Sequence, residues 1–261
     1  MTPDSARRAA DLLVRRWGEG SRLDQLPEDV RPRTREEGYL IQAQWMWHTA
    51  APLFGWKIAA TSAAGQRHIN VDGPIAGRLL AETVLEDGAT VPLAGRLMRV
   101  VEVELAFRFG AALSPRATPY SVDEVMAAVA TLHPAIEIPD SRYEDFCAVG
   151  APQLIADNAC AHRFILGRAA GGPWRDADLA AHGVAAEVAG KSTHEGNGAN
   201  ALGDPRIALA WIVNELRGLG IAMNVGEVVT TGTCVTPVPV VPGDRVRARY
   251  GAFGDLWVSF A

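Results

Sequence analysis

With 261 residues, 48% of them hydrophobic and 21% charged, the chain can bury a sizeable core in one large domain or two small ones. A net charge of -5 with scattered basic residues leaves no footprint for nucleic acid or an anionic membrane surface, and Cys147, Cys160 and Cys234 lie too far apart for a disulfide framework or a thiolate zinc site. A soluble protein of the reducing cytoplasm is expected, because the first twenty residues interleave arginines with apolar positions, unlike a signal peptide, and no run reaches the roughly 18 apolar residues of a membrane span.

Ala6, Ala9, Ala10, Leu13 and Trp17 recur at helical spacing, and Thr34 with Glu37 forms a capping box ahead of Tyr39, Leu40, Ala43 and Trp47. Two helices should therefore form a small N-terminal layer, with Trp45 and Trp47 as ordinary packing residues. From Phe54 the chain turns to short segments punctuated by glycine and proline, such as "GWKIAATS", "GPIAGRLL" and "LMRVVEVELAFRF", which suit strands. A second box, Ser121 to Glu124, predicts a helix carrying Val122, Val125, Val129 and Leu132, and Asp204 with Pro205 caps another through Ala208, Trp211, Ile212 and Leu216. The stretch 190–200, "GKSTHEGNGAN", is too glycine-rich for an element and reads as a loop. The last segment alternates polar with apolar residues and turns at "PGD" and "GAFGD", as antiparallel strands do. No repeat and no phosphate-cradling glycine loop is present, so nucleotide-dependent chemistry loses its support.

One strand poses a chemical question. In "RVVEVELAFRF", residues 99–109, Glu102 and Glu104 sit one residue apart and so share a face, while Val101, Val103 and Leu105 face the other way. An unpaired charge in an apolar strand is costly. Two adjacent carboxylates either keep a proton between them or are neutralised by a cation, and hard divalent ions prefer such oxygens. Glu137, between Ile136 and Ile138, offers a third carboxylate from another apolar segment. The alternative is a solvated face of an antiparallel sheet, and spacing alone does not show that the three converge. The histidines have no metal-binding spacing.

"GWKIAATS", "VEVELAF", "PAIEIPDSR", "IADNA", "NALGDPRIALAWIVNEL" and "VVTTGTCVTPVPVVPGDRV" come in the order and spacing of the 2-keto-4-pentenoate hydratase and 4-oxalocrotonate decarboxylase group of the fumarylacetoacetate hydrolase superfamily. The chain resembles that group over roughly residues 35 to 260. The resemblance implies an α+β fold, a mixed β-roll with flanking helices, here with a helical N-terminal region at 1–52 packed on a catalytic roll at 53–261. It also implies Mg²⁺ or Mn²⁺ on Glu102, Glu104 and Glu137, and a small 2-oxo acid substrate that chelates the ion.

Other expected roles follow the same segments. Lys57 matches the family's lysine and would transfer protons or hold an anionic substrate. Asp72 aligns with an acidic position near the substrate, although Asn70 stands where the family usually has glycine and "GPIAG" departs from its common wall. Thr231, Gly232 and Thr233 lie at a strand end suited to a carboxylate, and His68 is the histidine nearest Asp72 in sequence. Asp140, Arg142, Asp157 and Asn158 look like groups that orient the metal ligands.

The expected activity is hydration of a 2-hydroxydienoate or 2-oxo-enoate to a 4-hydroxy-2-oxo acid in aromatic catabolism. Decarboxylation of a 2-oxo-3-enedioate, hydrolytic C-C cleavage of an acylpyruvate-like substrate and a non-catalytic oxo-acid-binding subunit are the alternatives. The resemblance further implies a homo-oligomer, associated in some relatives with another pathway enzyme.

Overall fold

A computed structural model describes residues 1–261. Helix α1 (Pro3–Glu19) begins at a reciprocal bond between Thr2 and Ser5 and ends at Gly20, whose φ of 66° closes the last turn. Its buried stripe of Ala6, Ala9, Ala10 and Leu13 faces α2 (Arg35–Gln44), and with Leu26, Ile41, Trp45 and Tyr143 it makes a small core of its own against Leu80 and Ala156. Truncating Leu13 to alanine there would cost about 2–5 kcal/mol.

Only half of the Thr34 box forms. The Thr34 hydroxyl accepts the Glu37 amide, but the Glu37 carboxylate takes the Arg33 amide and the N-terminal amine instead of returning to Thr34. After Gln44 the chain tightens into a 3₁₀ turn, which buries Trp45 with its Nε1 donating to the Ala156 carbonyl at 3.0 Å. Trp47, expected to pack, is 70% exposed beside the Arg7 guanidinium.

The strands follow as β1 (Leu53–Ala59), β2 (Ile75–Leu80), β3 (Val84–Leu85), β4 (Thr90–Val91), β5 (Val100–Phe109) and β6 (Val129–Ile138). Then come β7 (Arg163–Leu166), β8 (Gly183–Val188), β9 (Ser192–Asn197), β10 (Val228–Thr233), β11 (Val238–Pro239), β12 (Arg245–Arg249) and β13 (Asp255–Phe260). Helices α3 (Ala63–His68), α4 (Val122–Ala128), α5 (Gly150–Ala156) and α6 (Pro205–Gly218) connect them. A mixed eight-stranded sheet runs β2-β1-β10-β5-β6-β7-β3 with β11 on β5, and a five-stranded sheet runs β4-β13-β12-β8-β9. The main apolar core draws on both sheets and on α6. This is the expected mixed α+β roll with flanking helices. No helix is long and apolar enough to cross a membrane.

Two further sequence expectations need correction. Helix α4 starts at its Ser121–Glu124 box but stops at Ala128, so Val129 and Leu132 belong to β6. The β-branched run and Pro134, which has no amide to continue a helix, decide in favour of the strand. The stretch 190–200 is largely strand β9, paired antiparallel with β8. Its glycines serve close approach: a Cβ on Gly196 would fall 2.0 Å from the Cys234 carbonyl oxygen, and one on Gly198 2.0 Å from that of Leu179. Glycine there marks contact with neighbouring backbone, and the hairpin register is kept.

Candidate functional site

The antiparallel register of β5 and β6 places Glu102 directly opposite Glu137, and Glu104, two residues further along β5, shares their face. One carboxylate oxygen from each of the three lies within 4.8 Å of the others. Glu104 and Glu137 are fully buried, Glu102 is partly exposed, and Val101, Val103 and Leu105 fill the core behind them. The solvated-face alternative is thereby excluded.

Lys57 enters the same group from β1. Its ammonium lies 2.9 Å from Glu137 Oε1 and donates to the Ala159 carbonyl at 2.9 Å. Burial would lower the Lys57 pKa, but the carboxylates of Glu137 and Glu102 outweigh it and hold the amine charged, above its usual value. Burial raises all three carboxylates. At Glu104 the carboxylates of Glu137 and Glu102 add to burial and hold it well above the usual range, Glu102 also repels Glu137, and the Lys57 ammonium opposes the rise at all three. With all three carboxylates ionised, one ammonium would leave two negative charges uncompensated, which is why they rise in the absence of a cation.

Those residues fit a hard divalent cation on two structural grounds. Glu104 Oε1 and Glu137 Oε2 are buried without a hydrogen-bond partner, and Glu137 Oε1 has only the Lys57 ammonium at 2.9 Å, an arrangement native structures rarely tolerate. The donor set is all oxygen, the chemistry of Mg²⁺ and Mn²⁺. Glu102, Glu104 and Glu137 would be the residues to hold the ion.

The three glutamates are positioned by their surroundings. The Thr230 hydroxyl and the Gly232 amide, the latter at 2.9 Å, both donate to Glu104 Oε2. Gly77, opposite Lys57 in β2, keeps the lysine's path open, since a Cβ there would meet the Asn158 carbonyl oxygen at 2.5 Å and Lys57 Cδ at 2.9 Å. The Ala159 carbonyl that holds Lys57 belongs to a left-handed run, with φ of 55°, 51° and 60° at Asn158, Ala159 and Cys160. Each such residue is strained, and the run persists because its neighbours fix it. The Asn158 amide group accepts the Arg78 N–H at 2.6 Å and donates to the Arg78 carbonyl at 2.9 Å.

The other expected orienting residues act one step away from the glutamates. Arg142 and Asp157 form a buried ion pair through Nε and Oδ1, reinforced by the Ser141 hydroxyl on Asp157 Oδ2 at 2.8 Å and by Arg142 Nη1 on the Ala161 carbonyl at 2.9 Å. They hold the ends of the left-handed run. Asp140 accepts the amides of Leu97 and Met98 at 2.9 and 3.2 Å, fixing the loop that leads into β5.

Of the residues expected on the substrate side, Asp72 and His68 lie at the surface, whereas Thr231 and Thr233 sit on the strand paired with β5 but turn their hydroxyls to backbone carbonyls. Asp72 has a side chain 79% exposed and pairs with Arg35 at 3.0 Å, on a loop where Asn70 takes the positive φ of 54° that glycine would otherwise supply. His68 is exposed, its ring edge-on to Phe146 at 6.0 Å. The hydroxyls of Thr231 and Thr233 donate to the carbonyls of Leu105 and Val235 at 2.9 and 2.6 Å, and the Gly232 amide serves Glu104. Within this structure those groups are used internally.

Three contributors escaped the sequence reading: Thr230, Gly77 and the Ala159 carbonyl. What marks Thr230 is its pairing with Lys57 across β1 and β10, a register visible only in the fold.

Comparison with known proteins adds to this geometry. The family model described as fumarylacetoacetate (FAA) hydrolase C-terminal matches residues 58–260. The chain is 29% identical over 263 residues to the 2-keto-4-pentenoate hydratase of Paraburkholderia xenovorans (strain LB400), covering 100% of this chain and 96% of that one. It is 35% identical over 211 residues to the 2-hydroxyhexa-2,4-dienoate hydratase of Comamonas testosteroni, covering 80% and 78%. Among solved structures, the 4-oxalocrotonate decarboxylase from Pseudomonas putida G7, complexed with magnesium and adipate, superposes with a TM-score of 0.89 at 27% identity over 100% of this chain and 99% of that one.

Proposed function

This chain belongs to the fumarylacetoacetate (FAA) hydrolase C-terminal family, and we propose that it is a divalent-metal-dependent hydratase, a lyase that adds water to a 2-hydroxydienoate or 2-oxo-enoate to give a 4-hydroxy-2-oxo acid in the catabolism of aromatic compounds. The observation that carries the reading is the buried convergence of Glu102, Glu104 and Glu137 beside a charged Lys57. Relatives with hydratase names, aligned over most or all of the chain, agree with it. We take the ion to be Mg²⁺ or Mn²⁺, and residues 53–261 to be the catalytic unit, with residues 1–52 packed against it.

A bound divalent ion would polarise the 2-oxo group of a chelating oxo acid and lower the cost of the negative charge that develops there as water adds at C4, before C3 takes up a proton. The protein's own groups do the rest. Glu104 and Glu137 keep their free oxygens in a water-poor setting, where electrostatic stabilisation is strongest. Lys57, held as an ammonium between Glu137 and the Ala159 carbonyl, can attract the substrate carboxylate and give up or regain a proton at Nζ as the substrate's charge changes. Asn158, through the left-handed run, keeps that nitrogen in place.

The test is to incubate the purified chain with Mg²⁺ and freshly generated 2-hydroxypenta-2,4-dienoate and follow the loss of dienol absorbance. Consumption that a chelator and Glu104→Gln both abolish supports the reading; no consumption of any hydroxydienoate removes it. A second reading, decarboxylation of a 2-oxo-3-enedioate on the same carboxylates, draws on the likeness to the 4-oxalocrotonate decarboxylase along the full chain. Release of CO₂ from 4-oxalocrotonate with no hydration of the dienoate would select it.

A further inference from the structure

We propose that Thr230 and Gly232 form a clamp on Glu104 that sets ion-size selectivity, making the site prefer a small six-coordinate ion over calcium. The inference rests on the metal reading above and extends it to which ion is chosen and by what.

A carboxylate oxygen has two lone pairs. At Glu104 Oε2 both are taken, one by the Thr230 hydroxyl and one by the Gly232 amide at 2.9 Å. Oε1 of the same carboxylate is buried and has no partner. Glu104 can therefore offer one oxygen only. Calcium accepts six to eight oxygens and commonly takes both from one carboxylate, whereas magnesium demands a compact octahedron. A carboxylate confined to one oxygen favours the octahedral ion.

The clamp is built into the backbone. Strand β10 pairs regularly with β5 up to Thr230↔Ala106 and resumes at Thr233↔Glu104, so a register shift lies between them. That bulge turns the Gly232 amide toward the oxygen that Thr230 already addresses. Gly232 has φ of 100°, and a Cβ there would stand 2.2 Å from Thr61 Oγ1, so no other residue keeps the amide in position. Thr230 is fully buried. It acts through Glu104 and is a positioning residue.

Calorimetric titration of the whole chain with Mg²⁺ and separately with Ca²⁺ tests the proposal on the wild type, Thr230→Val and Thr230→Ser, with a thermal melt to establish that each is folded. The wild type should bind Mg²⁺ more tightly than Ca²⁺. Thr230→Val should lose about tenfold in Mg²⁺ affinity, the low end for outer contacts of a metal site, with a smaller loss for Ca²⁺, and Thr230→Ser should restore the preference. Thr230→Ala serves the same comparison if the valine variant does not fold. A wild type that prefers Ca²⁺, or a valine variant with an unchanged Mg²⁺/Ca²⁺ ratio, overturns the clamp while leaving the metal site standing. A wild type that binds neither ion overturns both.

Discussion

The Lys57 ammonium stands 2.9 Å from Glu137 Oε1, with both side chains almost wholly buried. Removing one partner of a buried ion pair is costly because the other is left uncompensated, by about 3–5 kcal/mol. Lys57→Met is therefore expected to lower the melting temperature of the metal-free chain and, if Lys57 moves protons, to cut kcat by about 10²–10⁴-fold. Melts and dienol turnover measure both. A methionine variant within about tenfold of wild-type kcat would take Lys57 out of the chemistry.

Asn158 is expected to matter more for stability than its small side chain suggests. Asn158→Ala removes both bonds to the Arg78 backbone and puts alanine at a φ of 55°, at a cost of about 2–4 kcal/mol. Asn158→Gly loses the same bonds but accepts the backbone angle, so its stability should fall between alanine and wild type in urea unfolding. An alanine variant as stable as wild type would show that the left-handed run is held by other contacts.

Asp72 separates stability from chemistry. Its side chain is 79% exposed, and an exposed pair with Arg35 contributes about 0–1 kcal/mol. Asp72→Asn should leave the melt almost unchanged, so its kcat and KM report directly on whether this carboxylate meets substrate. A large drop in stability would contradict the placement of the side chain at the surface.

Acid sensitivity should centre on His162. Its Nδ1 accepts the Trp17 indole N–H at 2.8 Å, and burial, with Arg96, Arg163 and Arg142 nearby, lowers its pKa to about 2. Below about pH 6.5 the unfolded chain binds a proton that the folded one refuses, so stability is lost as pH falls from there toward about 2. Between pH 6.5 and 5 the loss from this group is about 2 kcal/mol. His162→Phe should flatten that part of the profile in urea unfolding at the two pH values. An unchanged slope would assign the acid sensitivity elsewhere.

What could be read in advance follows from how local each feature is. The Glu102–Glu104 face needed only strand alternation, and the buried frame of Glu137 marked it as a partner. Their convergence required the β5–β6 register, which no local pattern encodes and which the family resemblance supplied. Thr230 was passed over in favour of Thr231 and Thr233 because the bulge in β10 changes which residues face the carboxylates. Asp72 was placed near substrate by alignment and His68 by its closeness to Asp72 in sequence, whereas the Arg35 pair and the Phe146 contact lie at the surface here. Strand β9 was hidden by glycines whose purpose is contact with Cys234 and Leu179, partners remote in sequence.

The central claim is that one hard divalent ion sits among the three glutamates, and diffraction from Mn²⁺-soaked crystals at an anomalous wavelength tests it most directly. A single strong anomalous peak within coordinating distance of the carboxylates of Glu102, Glu104 and Glu137 is the expected result. Crystals with saturating Mn²⁺ and no peak there, or with the peak held by other residues, would contradict it.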